Sequence, residues 1–228
     1  MPKYERYQDY AIRDGRLIGE FEQMYRDFAD PWHQTAHDQF ASEKAVGISL
    51  LSRLKAMHGI GKVVDLGCGL GHYSSRMAAI GLDVVGIDVS ATAIEKARSL
   101  YGQSVEFVGG KFEDFAAIEK NRPDVIVMAE ITWYVLDHLR SFIDFCKLQL
   151  PNTFLLHLLT TYPPRSQQYG TKWFTSLPEI KNYFGMRYLE SGEIHYAGGA
   201  KTWFLGTWNA GAETAWNATI GAANLSRP

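Results

Sequence analysis

The segment Val63-Val64-Asp65-Leu66-Gly67-Cys68-Gly69-Leu70-Gly71-His72-Tyr73-Ser74 constrains this chain more than any other. Short apolar residues open it, as suits a buried parallel strand. Glycine then takes alternate positions, and a helix is expected from about Tyr73. A strand passing through a glycine-rich turn into a helix brings bare backbone and a helix N-terminus against a ligand. Asp88 ends the next apolar run, Asp83-Val84-Val85-Gly86-Ile87-Asp88. It lies about twenty residues beyond the first glycine, where an acid meets ribose hydroxyls in nucleotide-binding βαβ units. A dinucleotide fingerprint needs glycine at position 72, where His72 stands, and no Gly-Lys-Ser/Thr follows. Nothing in the loop suits a pyrophosphate.

Asp65 to Gly71, with Asp88 after the second strand, resembles the class I S-adenosylmethionine-dependent methyltransferases over about residues 45 to 208. The resemblance implies an α/β fold: a doubly wound, Rossmann-like, mostly parallel seven-stranded sheet with a C-terminal antiparallel hairpin. It implies S-adenosylmethionine as donor and S-adenosylhomocysteine as product. By the same resemblance Gly67, Cys68, Gly69 and Gly71 pass the methionine and ribose portions. Asp65 faces the methionine amino group, Asp88 takes both ribose hydroxyls, and Val89 neighbours it. Lys111 stands where the family often has an acid for adenine, so Lys111 or Phe112 would read adenine through backbone groups. Glu130 and Ile131 border the methionine end.

The 228 residues fit one α/β domain: a helical cap over 1–60, a cofactor-binding core over 61–208, and a tail over 209–228. Hydrophobic residues make up 46%, enough for a full core, and the net charge of −2 sets up no basic field for nucleic acid. Cys68 and Cys146, the only cysteines, fall in the glycine loop and in an expected helix, which fits a reducing compartment. They have no metal-ligand spacing, and no metal is expected. The charged first residues lack an apolar signal region, and no run reaches membrane-spanning length, so a cytoplasmic chain is expected. Its partner is expected to be a small-molecule acceptor, with a monomeric or homodimeric state.

Along the chain, Leu17, Phe21, Met24 and Phe28 recur at helical spacing until Asp30-Pro31 breaks the helix. A second helix is expected from about 37 to 58, closed by Gly59. Strands are expected at 62–66, 83–87, 105–108, 123–128 and 153–158. Helices follow at 73–80, from Ser90, and at 139–148, a doubly wound pattern. Residues 193–197 and 200–208 read as a hairpin turning at Gly198-Gly199. The Ala-, Gly- and Asn-rich tail is expected to be loosely ordered.

Methyl transfer from a sulfonium mainly requires alignment, and a base only where the acceptor must lose a proton. His33, Glu130 and His157 are the candidate bases. Trp32, His33 and His37, on or beside a proline-fixed loop, would form a lid over the acceptor, with Trp133, Tyr134 and Arg165 as further contacts. Each has a plainer alternative: Trp32 as packing, His157 as a core histidine, Arg165 as a solvated charge. Phe28-Ala29-Asp30-Pro31-Trp32 resembles, over these few residues, methyltransferases of amino sugars, including the nodulation-factor N-methyltransferases. It also resembles those of bacterial surface polysaccharide and its phosphoramidate decoration. The expected activity is methylation of N or O on a small polar acceptor, sugar-linked or phosphorylated, in surface-glycan or secondary metabolism. A non-catalytic adenosylmethionine-binding subunit and an RNA or protein methyltransferase are the alternatives.

Overall fold

From its N-terminus the chain forms α1 (Gln8–Ala11), a ribbon of β1 (Ile12–Arg13) and β2 (Arg16–Leu17), then α2 (Phe21–Asp27), α3 (Gln34–His37) and α4 (Ser42–His58). The alternating part is β3 (Lys62–Leu66), α5 (His72–Ala79), β4 (Asp83–Asp88), α6 (Ala91–Tyr101), β5 (Glu106–Gly109), α7 (Phe115–Asn121), β6 (Val125–Ala129), α8 (Leu136–Gln149) and β7 (Phe154–Thr161). It closes with α9 (Leu177–Phe184), the hairpin β8 (Arg187–Tyr196) and β9 (Gly199–Thr207), and α10 (Ala210–Leu225). This computed structural model describes residues 2–37, 40–163 and 166–225, with backbone alone at 36–37 and 220–225.

The sheet has seven strands in the order β5-β4-β3-β6-β7-β9-β8. The first five are parallel; β9 pairs antiparallel with both β7 and β8. Chain order reverses between β3 and β6, the switch point at which open α/β sheets bind ligands. Alternation along the strands serves two cores. Val63, Val84, Val125 and Val127 face one with Leu51 and Leu54 of α4, Met77 of α5 and Ile94 of α6. Val64, Leu66, Val85, Ile87 and Ile126 face the other with Leu139 and Phe142 of α8 and Ile180 of α9. Strands buried on both faces carry near-continuous apolar runs, which made these segments readable in the sequence.

The cap differs from the expectation in detail. The helix of α2 starts at Phe21 and not at Leu17, because Asp14, Gly15 and Gly19, all at positive φ, turn the chain through the β1–β2 ribbon. The second helix starts at Ser42, preceded by the single turn of α3. The hairpin turns at Ala197-Gly198, since Tyr196 pairs with Gly199. Of the tail, Ala210–Leu225 forms a helix where a loose segment was expected. Asn209 caps it, its Oδ1 accepting from the Gly211 and Ala212 amides at 2.7 and 3.3 Å. Trp216, 1% exposed, then stacks on His58 within the core.

Glu22 and Lys96 are among the residues that fix the cap to the core. Glu22 of α2 accepts from the Ser90 hydroxyl at 2.8 Å, and from the Thr92 amide and hydroxyl at 3.1 and 2.8 Å. Lys96 of α6 donates to the carbonyls of Tyr25, Phe28 and Ala29, placing a cation at the C-terminal end of α2.

Candidate active site

A cavity of about 530 Å³ opens where β3, β6 and β7 end, with the cap as its opposite wall. Gly67 lines it at φ 68°, and a Cβ there would meet Ile131 Cγ2 at 2.2 Å. A side chain at Gly69 would run into the Tyr25 hydroxyl at 2.6 Å. Both positions therefore need bare backbone, for clearance as well as for conformation. Gly71 serves packing instead, facing Phe107 and Ala97.

Asp88 lines the cavity and is 8% exposed. Its oxygens accept one bond each, from the Gly69 and Ser90 amides, both at 2.9 Å. Burial pushes its pKa up, against the two amides that hold the charge. Each oxygen keeps acceptor capacity toward the cavity. Val89, half exposed, and Phe112, packed on Phe142 at 5.0 Å, continue the wall.

At the far end stands a charged group. Glu130, at φ 64° in the left-handed region, accepts from the Thr160 amide at 2.9 Å, the Thr160 hydroxyl at 2.7 Å and Lys201 Nζ at 3.0 Å. Burial works to raise its pKa, but Lys201 and Thr160 outweigh burial and hold it below the usual range. Burial likewise opposes the Lys201 charge, and Glu130 and Glu43 outweigh it, pushing that pKa up. Glu43 of α4 lies 3.4 Å from the same ammonium. Tyr7, Trp32 and Tyr134 form an aromatic corner, with Tyr7–Trp32 centroids at 5.0 Å and Trp32–Tyr134 at 5.8 Å.

Of the residues expected from sequence, Gly67, Asp88, Val89, Phe112, Glu130, Ile131, Trp32, Trp133 and Tyr134 meet around this cavity. Others do not. His157 is fully buried, stacked on Phe204 at 4.7 Å and bonded through Nε2 to the Thr132 hydroxyl at 2.7 Å. Burial lowers its pKa to about 3, so it is a neutral core residue and not a base. His33 is exposed, its ring against Tyr7 outside the cavity wall. Asp65 lies beneath the turn, accepting from Ser74 Oγ at 2.5 Å, and Cys68 packs into the core below; neither lines the cavity. The Lys111 side chain is exposed and outside the wall. Arg165 and the His37 side chain lie outside the described residues.

Sequence reasoning missed Tyr7, Tyr25, Gln34, Glu43, Tyr162 and Lys201, all lining residues. A lone lysine in the apolar strand β9 was the one available signal, because a cation in a buried strand needs a partner. No group of three or more His, Cys, Asp or Glu among the described residues could hold a metal.

A doubly wound sheet with an antiparallel final hairpin, a glycine turn at its switch point and a buried acid ending the next strand defines the class I S-adenosylmethionine-dependent methyltransferase fold. Residues 63–148, from β3 through nearly all of α8, match the family described as a methyltransferase domain. The ubiquinone biosynthesis O-methyltransferase of Thiobacillus denitrificans is 40% identical over 79 residues, 33% of this chain and 34% of that protein. Its counterpart in Proteus mirabilis is 38% identical over 136 residues, 58% and 49% of the two chains. The chain thus spans about a third to a half of the length of these relatives. Among solved structures, the N-methyltransferase NodS from Bradyrhizobium japonicum, in complex with S-adenosylhomocysteine, superposes with a TM-score of 0.59 at 17% identity. That match covers 80% of this chain and 94% of NodS. The bifunctional kinase-methyltransferase WbdD gives 0.56 at 19% identity, over 72% and 39%. At these identities they speak for the fold.

Proposed function

We propose that this protein transfers the methyl group of S-adenosylmethionine to a nitrogen or oxygen of a small polar acceptor held beneath the cap. The observation that carries this reading is the cavity at the switch point, with a Cβ-intolerant Gly67 and the Asp88 carboxylate in one wall. The residues fit the donor. Asp88 would hold the ribose hydroxyls, Val89 and Phe112 would flank adenine, and the backbone at Gly67 and Ile131 would pass the methionine portion. When bound, the donor supplies a methyl group already activated by its sulfonium charge. The protein's task is then to orient the acceptor and exclude water. The cap residues Tyr7, Tyr25 and Trp32 serve exclusion, since Glu22 and Lys96 fix them over the cavity.

A single domain acting as monomer or homodimer in the cytoplasm is retained as part of the reading; no helix among the described residues is long and apolar enough to span a membrane. A sugar-linked acceptor is kept as the narrower form, in line with the resemblance of the Phe28-to-Trp32 segment to methyltransferases of amino sugars. A phosphorylated one is kept beside it, since Lys44 and Lys201 line the wall together with Glu43 and Glu130. The second reading is O-methylation of an aromatic hydroxyl, which the names of the ubiquinone-pathway relatives favour.

The test is turnover of methyl-labelled donor with a panel of amine, sugar and phenol acceptors. Label transfer to any of them supports an enzyme. Donor binding with no transfer to any acceptor would favour a non-catalytic adenosylmethionine-binding subunit.

A further inference from the structure

Two side chains of the cap lie on the glycine turn itself. A Cβ at Gly69 would meet not only the Tyr25 hydroxyl but also both side-chain heteroatoms of Gln34, at 3.1 Å each. Gln34 is held from two sides. Its backbone amide donates to Asp30 Oδ1 at 2.8 Å, and its Oε1 accepts from the Leu70 amide at 3.1 Å. An N–H can be matched only by an acceptor, so the Leu70 bond fixes which way the Gln34 amide faces. Oε1 is spent on the turn. Nε2, with two N–H groups, has no hydrogen-bond partner among the described residues. The side chain is half-buried and lines the cavity.

We infer that Gln34 is a donor-binding residue: its Nε2 hydrogen-bonds the ribose hydroxyls of the S-adenosyl group opposite Asp88, tying the cap to the bound donor. This rests on reading the cavity as the S-adenosylmethionine site. Gly69 is the shared neighbour. Its amide donates to Asp88 Oδ2 at 2.9 Å, and the Gln34 amide lies against its α-carbon. A ribose hydroxyl has one proton and two lone pairs. The proton goes to Asp88, whose carboxylate can only accept. The lone pairs then need an N–H or O–H donor, and leaving them unmet out of water costs free energy. Gln34 Nε2 supplies that donor at the turn. The wall lysines are placed otherwise, Lys201 Nζ on Glu130 and Thr160, and Lys44 Nζ over the Tyr73 ring at 5.5 Å.

The contact works in both directions. Asp30 also accepts from the Thr35 amide at 2.9 Å, so residues 30–35 are braced as one piece. Trp32, in the same piece, belongs to the aromatic corner of the cavity. Whatever the donor gains from Gln34 it gains only with this segment docked. Bound donor therefore holds the Trp32 wall in place, and docking of the segment tightens the donor by the same factor. A Gln34 that served only the Leu70 amide would have no such effect, and a glutamate would replace it without loss.

The experiment compares Gln34→Glu and Gln34→Leu with the unaltered protein by calorimetric titration of S-adenosylhomocysteine and of its 2′,3′-dideoxy analogue. Glutamate keeps the volume and an oxygen for the Leu70 amide but offers no N–H; leucine offers neither and brings no charge. The S-adenosylhomocysteine Kd should rise about 3- to 10-fold in Gln34→Leu, the scale of a neutral hydrogen bond. It should rise at least as much in Gln34→Glu, whose lone pairs face those of the hydroxyls. The dideoxy analogue has no hydroxyls for Gln34 to reach and should bind all three proteins alike. Amide exchange in residues 28–35 should slow when S-adenosylhomocysteine binds the unaltered protein, and slow less in the variants. An unchanged S-adenosylhomocysteine Kd in either folded variant would overturn the inference and leave Gln34 a partner of Leu70 alone. An equal loss for the dideoxy analogue would overturn it too, by moving the effect away from the ribose. Absence of S-adenosylhomocysteine binding in the unaltered protein would instead strike the reading of the cavity beneath it.

Discussion

Replacing Glu22 by alanine removes the carboxylate that holds α2 onto the first turn of α6. Its pKa measures that attachment. From an ordinary 4.5 the carboxyl is brought to about 2: burial works to raise it, and the Thr92 amide, the Ser90 and Thr92 hydroxyls and Arg26 outweigh burial. At about 1.4 kcal/mol per tenfold change in proton affinity, the difference is about 3 kcal/mol. The side chain is 35% exposed, so screening by water reduces this to on the order of 1–2 kcal/mol. Because the folded pKa lies below the unfolded one, the stabilisation is complete above 4.5 and is lost as the pH falls through about 2. Urea unfolding of the two proteins from neutral pH downward should show a gap of that size that closes in acid. Amide exchange should place the loosening in residues 8–35. Ser90 also donates its amide to Asp88, so donor binding should weaken severalfold. Equal stability at neutral pH with parallel acid limbs would refute the reasoning.

Other consequences follow from single contacts. Gly67→Ala puts a Cβ 2.2 Å from Ile131 at a positive φ, and should abolish donor binding in a thermal-shift assay. His157 has a folded pKa of about 3 against 6.5 for the free side chain, so it favours folding above 6.5 and progressively less as the pH falls toward 3. His157→Gln should flatten that acid slope in denaturation curves. His33→Ala should leave the pH dependence of turnover unchanged between about pH 6 and pH 9, since the ring stands outside the cavity. Trp216→Ala should cost about 3–5 kcal/mol by urea denaturation, the scale of a large aromatic removed from a core.

The parts of the site made by local chain were legible in the sequence, and those made by long-range register were not. Val63 to Ser74 signals strand, turn and helix through residues that are neighbours in the chain, and Asp88 needs only the next strand. Lys201 joins the site because β9 runs antiparallel to β7 and sets it opposite Thr160, a pairing that no local pattern announces. Glu43 reads as a routine helix-start acid until β9 brings a lysine to it. His157 shows the converse: strand-end position suggested a pocket, but its alternation turns the ring toward Phe184 and Phe204. The tail was misread because its small residues suggested a coil. Alanine is the best helix former, and Trp216 supplies the anchor.

Titration of S-adenosylmethionine into the protein and into Asp88→Ala tests the central claim most directly. The unaltered protein should bind the donor, and should prefer it to NAD. Loss of the Asp88 carboxylate should weaken binding by about 1.5–3 kcal/mol, the scale of hydrogen bonds to a charged group. Unchanged affinity in a folded Asp88→Ala protein, or a preference for NAD, would contradict the assignment of this cavity to adenosylmethionine.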